Sequence, residues 1–181
     1  MITIPTLTTE RLTLRPFVEA DIDHEAEFYT TPRAEFVGGQ MPREQVWRMV
    51  AAMLGHWQLR GYGFWAIEET ATGRFAGHAG LWFPDGWPER EIGWLLMGWA
   101  EGKGYAREAA LAARAYAYDT LEWTTAISLI APGNTRSIAL AERLGATRET
   151  TFQHQRLGPS LIYRHPGAHD LAEDGGMEAY A

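Results

Sequence analysis

Two glycines and two cations, Gly102, Lys103, Gly104 and Arg107, are the residues whose types and spacing point most directly to chemistry. They follow an apolar stretch, Glu91–Leu96, that predicts a buried strand, and they precede an alanine-rich stretch that predicts a helix. In such a turn, the first free N–H groups of the helix and the positive end of its dipole favour an anion. Glycines let the backbone approach that anion without an interfering Cβ. The spacing therefore predicts a phosphate site, with both cations adding to the field.

Two better-known phosphate motifs do not fit this turn. A P-loop needs Gly-Lys followed by Ser or Thr after a four-residue spacer, and the chain has no such segment here. The dinucleotide-binding fingerprint needs a third glycine at the position of Arg107, and no alternating strand–helix pattern opens the chain. A tight turn that binds nothing stays open as the alternative.

Composition and charge narrow the class of protein. A chain of 181 residues with 46% hydrophobic content is typical of one globular domain. No apolar run approaches the ~20 residues of a membrane helix and no export signal is visible, so we expect a cytoplasmic protein without a membrane partner. The net charge of −7 argues against nucleic acid as a partner. The absence of cysteine removes thiolate metal sites and cysteine nucleophiles, and we expect no metal.

Hydrophobic periodicity predicts the elements that position the turn. A strand that stops at Pro16 is followed by two helices, at about residues 19–29 and 43–60. Three strands separated by short turns then reach Leu96 and form an antiparallel meander. The meander delivers the chain directly into the Gly-x-Gly turn.

The second half of the chain is predicted to contain two further helices and three further strands. The alanine-rich helix is predicted to run to about Leu121, and a strand follows at about residues 123–130. Asn134 is a natural N-cap for the next helix, and a pair of strands ends the pattern. We expect one domain over residues 1–165 and a mobile acidic tail over residues 166–181.

Four segments together resemble a known family. They read TERLTLR at residues 9–15, EIGW at 91–94, GKGYAREA at 102–109 and NTRS at 134–137. With the order of elements, they resemble the GNAT superfamily of acyl-CoA-dependent N-acyltransferases, in particular its RimJ/RimL-like branch. The resemblance implies a single-domain α+β fold of three layers, in which a mixed, mostly antiparallel sheet of about seven strands is flanked by about four helices.

The resemblance also implies a co-substrate, acetyl-CoA, bound where the fourth and fifth predicted strands splay apart. Backbone groups of the fourth strand would hold the pantetheine arm, the turn and helix start would hold the pyrophosphate, and Asn134 would contact CoA, cap its helix, or both. The implied cofactor-binding residues are Leu95, Leu96, Met97, Gly102, Lys103, Gly104, Tyr105, Ala106, Arg107 and Asn134.

The chemistry expected at this site is direct attack of an amine on the thioester, because an acetyl-cysteine intermediate is impossible. Glu91, expected to lie among Trp82, Trp94 and Trp99, is the candidate proton acceptor; a structural glutamate is the alternative. His78 or water could also accept the proton. By analogy with the RimJ/RimL branch, Ser137 is the candidate proton donor to the CoA thiolate, against a purely local role in its helix.

Two functions remain open at this level. The first is transfer of an acetyl group to a primary amine, such as a protein N-terminus, a polyamine or an aminoglycoside. The second is a CoA-binding regulatory or interaction module without turnover. Phe36 and Trp87, in predicted loops, are candidates for the wall of an acceptor site. Symmetry statistics make a homodimer the default assembly, although no patch in the sequence argues for it.

Overall fold

The computed structural model describes residues 3–155 and 158–173, whose strands all join one sheet. Within these ranges the strands are β1 (Leu7–Thr8), β2 (Leu12–Arg15), β3 (Phe64–Glu69), β4 (Arg74–Trp82), β5 (Glu91–Leu96), β6 (Ile127–Ile130), β7 (Thr147–His154) and β8 (Gly158–Arg164). The α-helices are α1 (Asp21–Tyr29), α2 (Arg43–Arg60), α3 (Tyr105–Ala115), α4 (Thr135–Arg143) and α5 (Ala168–Glu173). Short 3₁₀ helices lie at Pro32–Val37 and Gly98–Ala100.

The sheet has the strand order β1-β2-β3-β4-β5-β6-β8-β7, and all neighbours are antiparallel except β5 and β6. The predicted α+β fold with a mixed, mostly antiparallel sheet is therefore confirmed. The sheet has eight strands because Leu7–Thr8 adds a short edge strand that pairs with β2. The fifth helix, α5, lies inside the segment for which a mobile tail was predicted, and residues 174–181 lie outside the described ranges.

The parallel pair β5 and β6 is joined at one point. Glu91 and Ile127 are the only residues paired in register between these strands within the described chain. The backbone N–H of Ile127 also donates to the carbonyl of Arg90 at 3.0 Å. Beyond this point the two strands diverge, so the sheet opens as a V whose vertex is at Glu91.

Helices cover both faces of the sheet. The alanine-rich helix α3 buries Ala109 and Ala113 completely, and these small side chains let it lie close to the sheet. The opposite face packs against α1 and most of the buried residues of α2, including Val46 and Val50. The core is therefore divided by the sheet into two layers, and the V between β5 and β6 opens between them.

The boundaries of the elements agree with the predictions best where glycine or proline marks them. Helix α2 spans the predicted residues 43–60. The alanine-rich helix is regular only to Ala115 and continues as a π-helical turn, Tyr116–Thr120. The strand predicted from residue 123 begins at Ile127, because the N–H of Trp123 instead bonds the carbonyl of Ala117 and closes that turn.

No helix in residues 3–155 and 158–173 combines the length and the apolar character needed to cross a bilayer.

Candidate functional site

The turn before α3 has the geometry that the sequence predicted. Gly102 and Gly104 both adopt left-handed backbone conformations, with φ of +74° and +82°. Gly104 is the N-cap residue of α3, so the free N–H groups of the first helical turn follow immediately. A Cβ at Gly104 would meet the guanidinium of Arg11 at 3.3 Å. The left-handed conformation therefore favours glycine at this position, and a larger residue would also crowd the Arg11 side chain.

Arg11 and Glu108 brace this turn from β2. Glu108, in the first turns of α3, accepts hydrogen bonds from the Thr9 hydroxyl at 2.6 Å and from the backbone N and Nε of Arg11 at 2.8 Å. Arg11 Nη1 then donates to the carbonyl of Lys103 at 2.9 Å. Burial opposes ionisation of Glu108, but these hydrogen bonds and the charge of Arg11 together lower its pKa. The TERLTLR segment thus fixes the start of α3.

A cleft of about 1130 Å³ runs from this turn along β5 to α4. Ser137 lines this cleft. Eight of the ten residues predicted to bind the cofactor line it as well, and they are Leu95, Leu96, Gly102, Gly104, Tyr105, Ala106, Arg107 and Asn134. Met97 is buried on the α1 side of the sheet, where it packs with Leu95 in the core. The cleft therefore joins the predicted anion site to the opening of the V.

Lys103 lies elsewhere than its sequence position suggested. Its ammonium stands over the rings of Trp99 and Tyr105, at 4.6 and 5.6 Å from their centres, and 3.6 Å from Glu69 Oε1. The rings and the carboxylate attract this cation away from the cleft. Among the described residues, the lining of the cleft includes Arg107 but not Lys103.

Three further arginines line the cleft and were missed in the sequence. Arg33, from the 3₁₀ helix Pro32–Val37, and Arg136, from the first turn of α4, both bind Glu101; the Arg136 bond measures 2.7 Å. Arg143 lies at the far end of α4. Arg136 could have been found, since it follows the cap residue Asn134 by two positions, but nothing in the sequence around Arg33 marks it.

The vertex of the V is closed by side chains from both strands. Glu91 of β5 accepts the N–H of Leu129 of β6 through Oε1 at 3.1 Å. In return, Ser128 of β6 donates its hydroxyl to the carbonyl of Ile92 of β5 at 2.6 Å. Backbone pairing between β5 and β6 ends at Glu91 and Ile127. Beyond that pair, these two side-chain hydrogen bonds join the strands instead. We call this pair of contacts the β5–β6 seam.

Glu91 is buried, and burial raises the pKa of its carboxyl to about 7 against the opposing hydrogen bonds from Leu129 and Trp87. Trp87 Nε1 donates to Oε2 at 2.5 Å. In the described chain, Glu91 lies behind the cleft and is absent from its lining. A proton acceptor at this depth would act through an intervening water.

The aromatic surroundings of Glu91 differ from those expected. Trp82 is its register partner on β4, in agreement with the prediction. Trp94 and Trp99 are engaged elsewhere, since their indoles donate to Ser137 Oγ at 3.3 Å and to the Phe75 carbonyl at 3.2 Å. The indole that binds the carboxylate, Trp87, comes from the loop before β5, and its position depends on tertiary structure.

Ser137 faces the cleft from the first turn of α4. Its backbone N–H donates to the side chain of Asn134 at 3.2 Å, which confirms Asn134 as the N-cap. Its hydroxyl oxygen accepts the indole N–H of Trp94, so the hydroxyl proton is left to donate to another group. This arrangement gives Ser137 a fixed oxygen and an available proton at the cleft wall.

His78 is held in the layer between the sheet and α1. Its Nδ1 lies 2.7 Å from Oε1 of Glu25, and both side chains are buried. Phe64 packs edge-on against the imidazole with ring centres 5.0 Å apart. Among the described residues, the lining of the cleft does not include His78.

Comparison with known proteins gives a consistent picture. A sequence model of the acetyltransferase (GNAT) domain matches residues 11–147. An acetyltransferase structure from Agrobacterium tumefaciens is 39% identical, with a TM-score of 0.83, and the match covers 91% of this chain and 96% of that one. The uncharacterized protein YkkB of Bacillus subtilis is 36% identical over 99 residues, which are 52% of this chain and 57% of YkkB. RimL, a ribosomal L7/L12 α-N-protein acetyltransferase solved with coenzyme A, is 17% identical with a TM-score of 0.72 over 90% of this chain and 98% of RimL, a likeness of fold.

Proposed function

Because the chain belongs to the GNAT family of acetyltransferases, we propose that it transfers an acetyl group from acetyl-CoA to a primary amine by direct attack in a ternary complex. The four motifs and the RimL-like fold support placing it in the RimJ/RimL-like branch. The catalytic unit we propose is residues 1–165.

The observation that carries this proposal is the cleft itself. It begins at the glycine turn of α3, where helix N–H groups and Arg107 suit a pyrophosphate, and it continues along Leu95 and Leu96 of β5. Arg136 and Arg143 add positive charge on the α4 side. A long cleft that combines these cations with the apolar residues of β5 fits a ligand that has a phosphorylated head and a narrow arm, as acetyl-CoA has.

Bound acetyl-CoA would supply an activated thioester, and the protein would supply orientation and proton transfer. We assign acceptance of the amine proton to Glu91, through one water, because its carboxyl is poised near neutral pH by burial. His78 is a weaker candidate because its Nδ1 is already engaged by Glu25. We assign donation to the departing sulfur to Ser137, whose oxygen is held by Trp94.

Release of free thiol from acetyl-CoA tests the proposal. The chain contains no cysteine, so a thiol reagent detects only the product. Three classes of acceptor separate the candidates: a peptide with a free N-terminus, a polyamine and an aminoglycoside. We expect thiol release that depends on one of these amines and saturates with it.

The alternative, a CoA-binding module without turnover, predicts a different result. Such a protein would bind acetyl-CoA in calorimetry and release no thiol with any amine. Absence of acetyl-CoA binding at millimolar ligand would contradict both functions. The three outcomes are distinct, so the assay decides between them.

A further inference from the structure

A chain of buried polar groups runs from α3 to the β5–β6 seam. Arg114 Nη1 lies 3.5 Å from His165 Nδ1, His165 Nε2 lies 2.9 Å from Ser128 Oγ, and that hydroxyl bonds the carbonyl of Ile92 at 2.6 Å. Arg114, Ser128 and His165 are each about 2% exposed. Four segments of the fold, from α3 to the residue after β8, are therefore linked at the vertex of the V.

The two groups at the ends of this chain, the Ile92 carbonyl and the Arg114 guanidinium, fix the direction of each hydrogen bond. The carbonyl of Ile92 can only accept, so the Ser128 hydroxyl donates to it and must accept from His165. His165 therefore carries its proton on Nε2, and its Nδ1 lone pair faces the Arg114 guanidinium, which can only donate. Burial and the nearby Arg114 charge lower the pKa of His165 to about 3, which keeps the ring neutral and this order intact.

The same arginine also reaches the helix that carries Ser137. Arg114 Nη1 donates to the carbonyl of Leu144, directly after α4, at 2.7 Å. The backbone of His165 is in turn tied to the residue directly before β6, since its N–H donates to the carbonyl of Ala126 at 2.9 Å. The buried chain therefore connects the two strands of the V with the helix on one side of the cleft.

We propose that Ser128 and His165 are positioning residues, which set the width of the opening between β5 and β6 and thereby the place of the acyl end of the donor. This inference rests on the proposed function, because it assumes that the thioester lies in the opening. Neither residue is on the lining of the cleft as far as the chain is described, so both act through the strands. No described hydrogen bond joins either side chain to the turn before α3, where the nucleotide end of the donor would lie.

Ser128→Ala separates positioning from general stability. We expect kcat for acetyl transfer to fall about tenfold or more, because small displacements of reacting groups are costly. The affinity for acetyl-CoA should fall several-fold, whereas the affinity for adenosine 3′,5′-bisphosphate, a probe of the nucleotide end, stays within twofold. A purely structural role would lower the melting temperature and leave the ratio of the two affinities unchanged.

His165 provides a second test with its own rescue. His165→Gln can place an amide N–H near the position of Nε2 and should retain most of kcat, whereas His165→Leu cannot donate to Ser128 and should behave as Ser128→Ala. Ser160→Ala is the control, since Ser160 is a buried serine on the neighbouring strand β8. These His165 variants also report on the same contact if Ser128→Ala does not fold.

The failures of the two hypotheses can be told apart. If the wild-type protein binds no acetyl-CoA, the proposed function fails and this inference fails with it. If the wild-type protein binds and transfers acetyl groups but the folded Ser128 and His165 variants keep the wild-type kcat and affinity ratio, only the positioning role is overturned.

Discussion

Oε1 of Glu91 accepts the backbone N–H of Leu129 at 3.1 Å, two residues beyond the point where β5 and β6 last pair. A carboxylate thus takes the place of a missing backbone carbonyl at the vertex of the V. The same carboxylate is buried and has a pKa raised to about 7. One side chain can therefore hold the seam and, as the base we propose, exchange a proton near neutral pH. Experiment can separate the structural contact from the proposed catalytic role.

The pH dependence of catalysis tests the role of Glu91 as base. In the wild-type protein, kcat should rise with pH through about 7 as the carboxyl ionises. Glu91→Gln removes the base and should lower kcat by about a hundredfold or more. The profile of the variant should lack the rise near 7 when the same amine is used for both proteins. A Gln variant with the wild-type profile would leave Glu91 a structural role only.

The pH dependence of stability tests the burial of Glu91. Its folded pKa is above the ordinary value of 4.5, so the unfolded chain releases this proton first as pH rises. Stability linked to Glu91 is therefore complete below about 4.5 and is lost as pH rises through about 7, at a cost of about 3 kcal/mol. Urea unfolding at about pH 5 and about pH 8 measures this loss. The free energy of unfolding of the wild type, relative to that of Glu91→Gln, should fall by the order of 3 kcal/mol between the two pH values. His165 is common to both proteins and cancels.

Substitution at Gly104 tests the anion site. Gly104→Glu places a negative charge and a strained backbone at the start of α3, so acetyl-CoA binding in calorimetry should weaken by about a hundredfold or more. Gly61→Glu is the matched control, because Gly61 has a similar φ of +79° and open space around its Cβ position, at the end of α2. Equal loss in both variants would assign the effect to misfolding.

Removal of the contacts that Arg11 makes with the turn before α3 should weaken acetyl-CoA binding indirectly, because Arg11 is not among the described residues that line the cleft. Arg11→Met removes the bond to the Lys103 carbonyl and the partner of Glu108, and we expect the Kd for acetyl-CoA to rise several-fold. Arg60→Met is the control, since Arg60 pairs only with exposed Asp85 and stacks over Phe83 among the contacts described. A Kd unchanged by Arg11→Met would show that the turn holds its shape unaided.

Ser137 should affect chemistry more than binding. Ser137→Ala removes the proton proposed for the departing sulfur, and kcat should fall by about a hundredfold while the Kd for acetyl-CoA stays within twofold. Ser137→Thr keeps a hydroxyl at this position and should recover much of the rate. Stopped-flow measurement of thiol release would detect the change, and wild-type turnover by the Ala variant would exclude Ser137 as the donor.

The sequence predicts best those features that depend on interactions between residues close together in the chain. The limits of α2, the left-handed turn at Gly104 and the cap by Asn134 all follow from residues within a few positions of one another. The contact of Ser128 with Ile92 spans 36 residues, and the contact of Arg33 with Glu101 spans 68. Such pairs depend on how the sheet folds over, so no pattern in the sequence indicates them.

The edge of the Phe36 ring meets the chain at Gly133, where a Cβ would lie only 2.8 Å from a ring carbon. Both residues line the cleft, so the 3₁₀ helix Pro32–Val37 and the residue before Asn134 are in contact at its surface. A larger residue at Gly133 would displace the Phe36 ring and would thereby change the shape of the cleft at this contact.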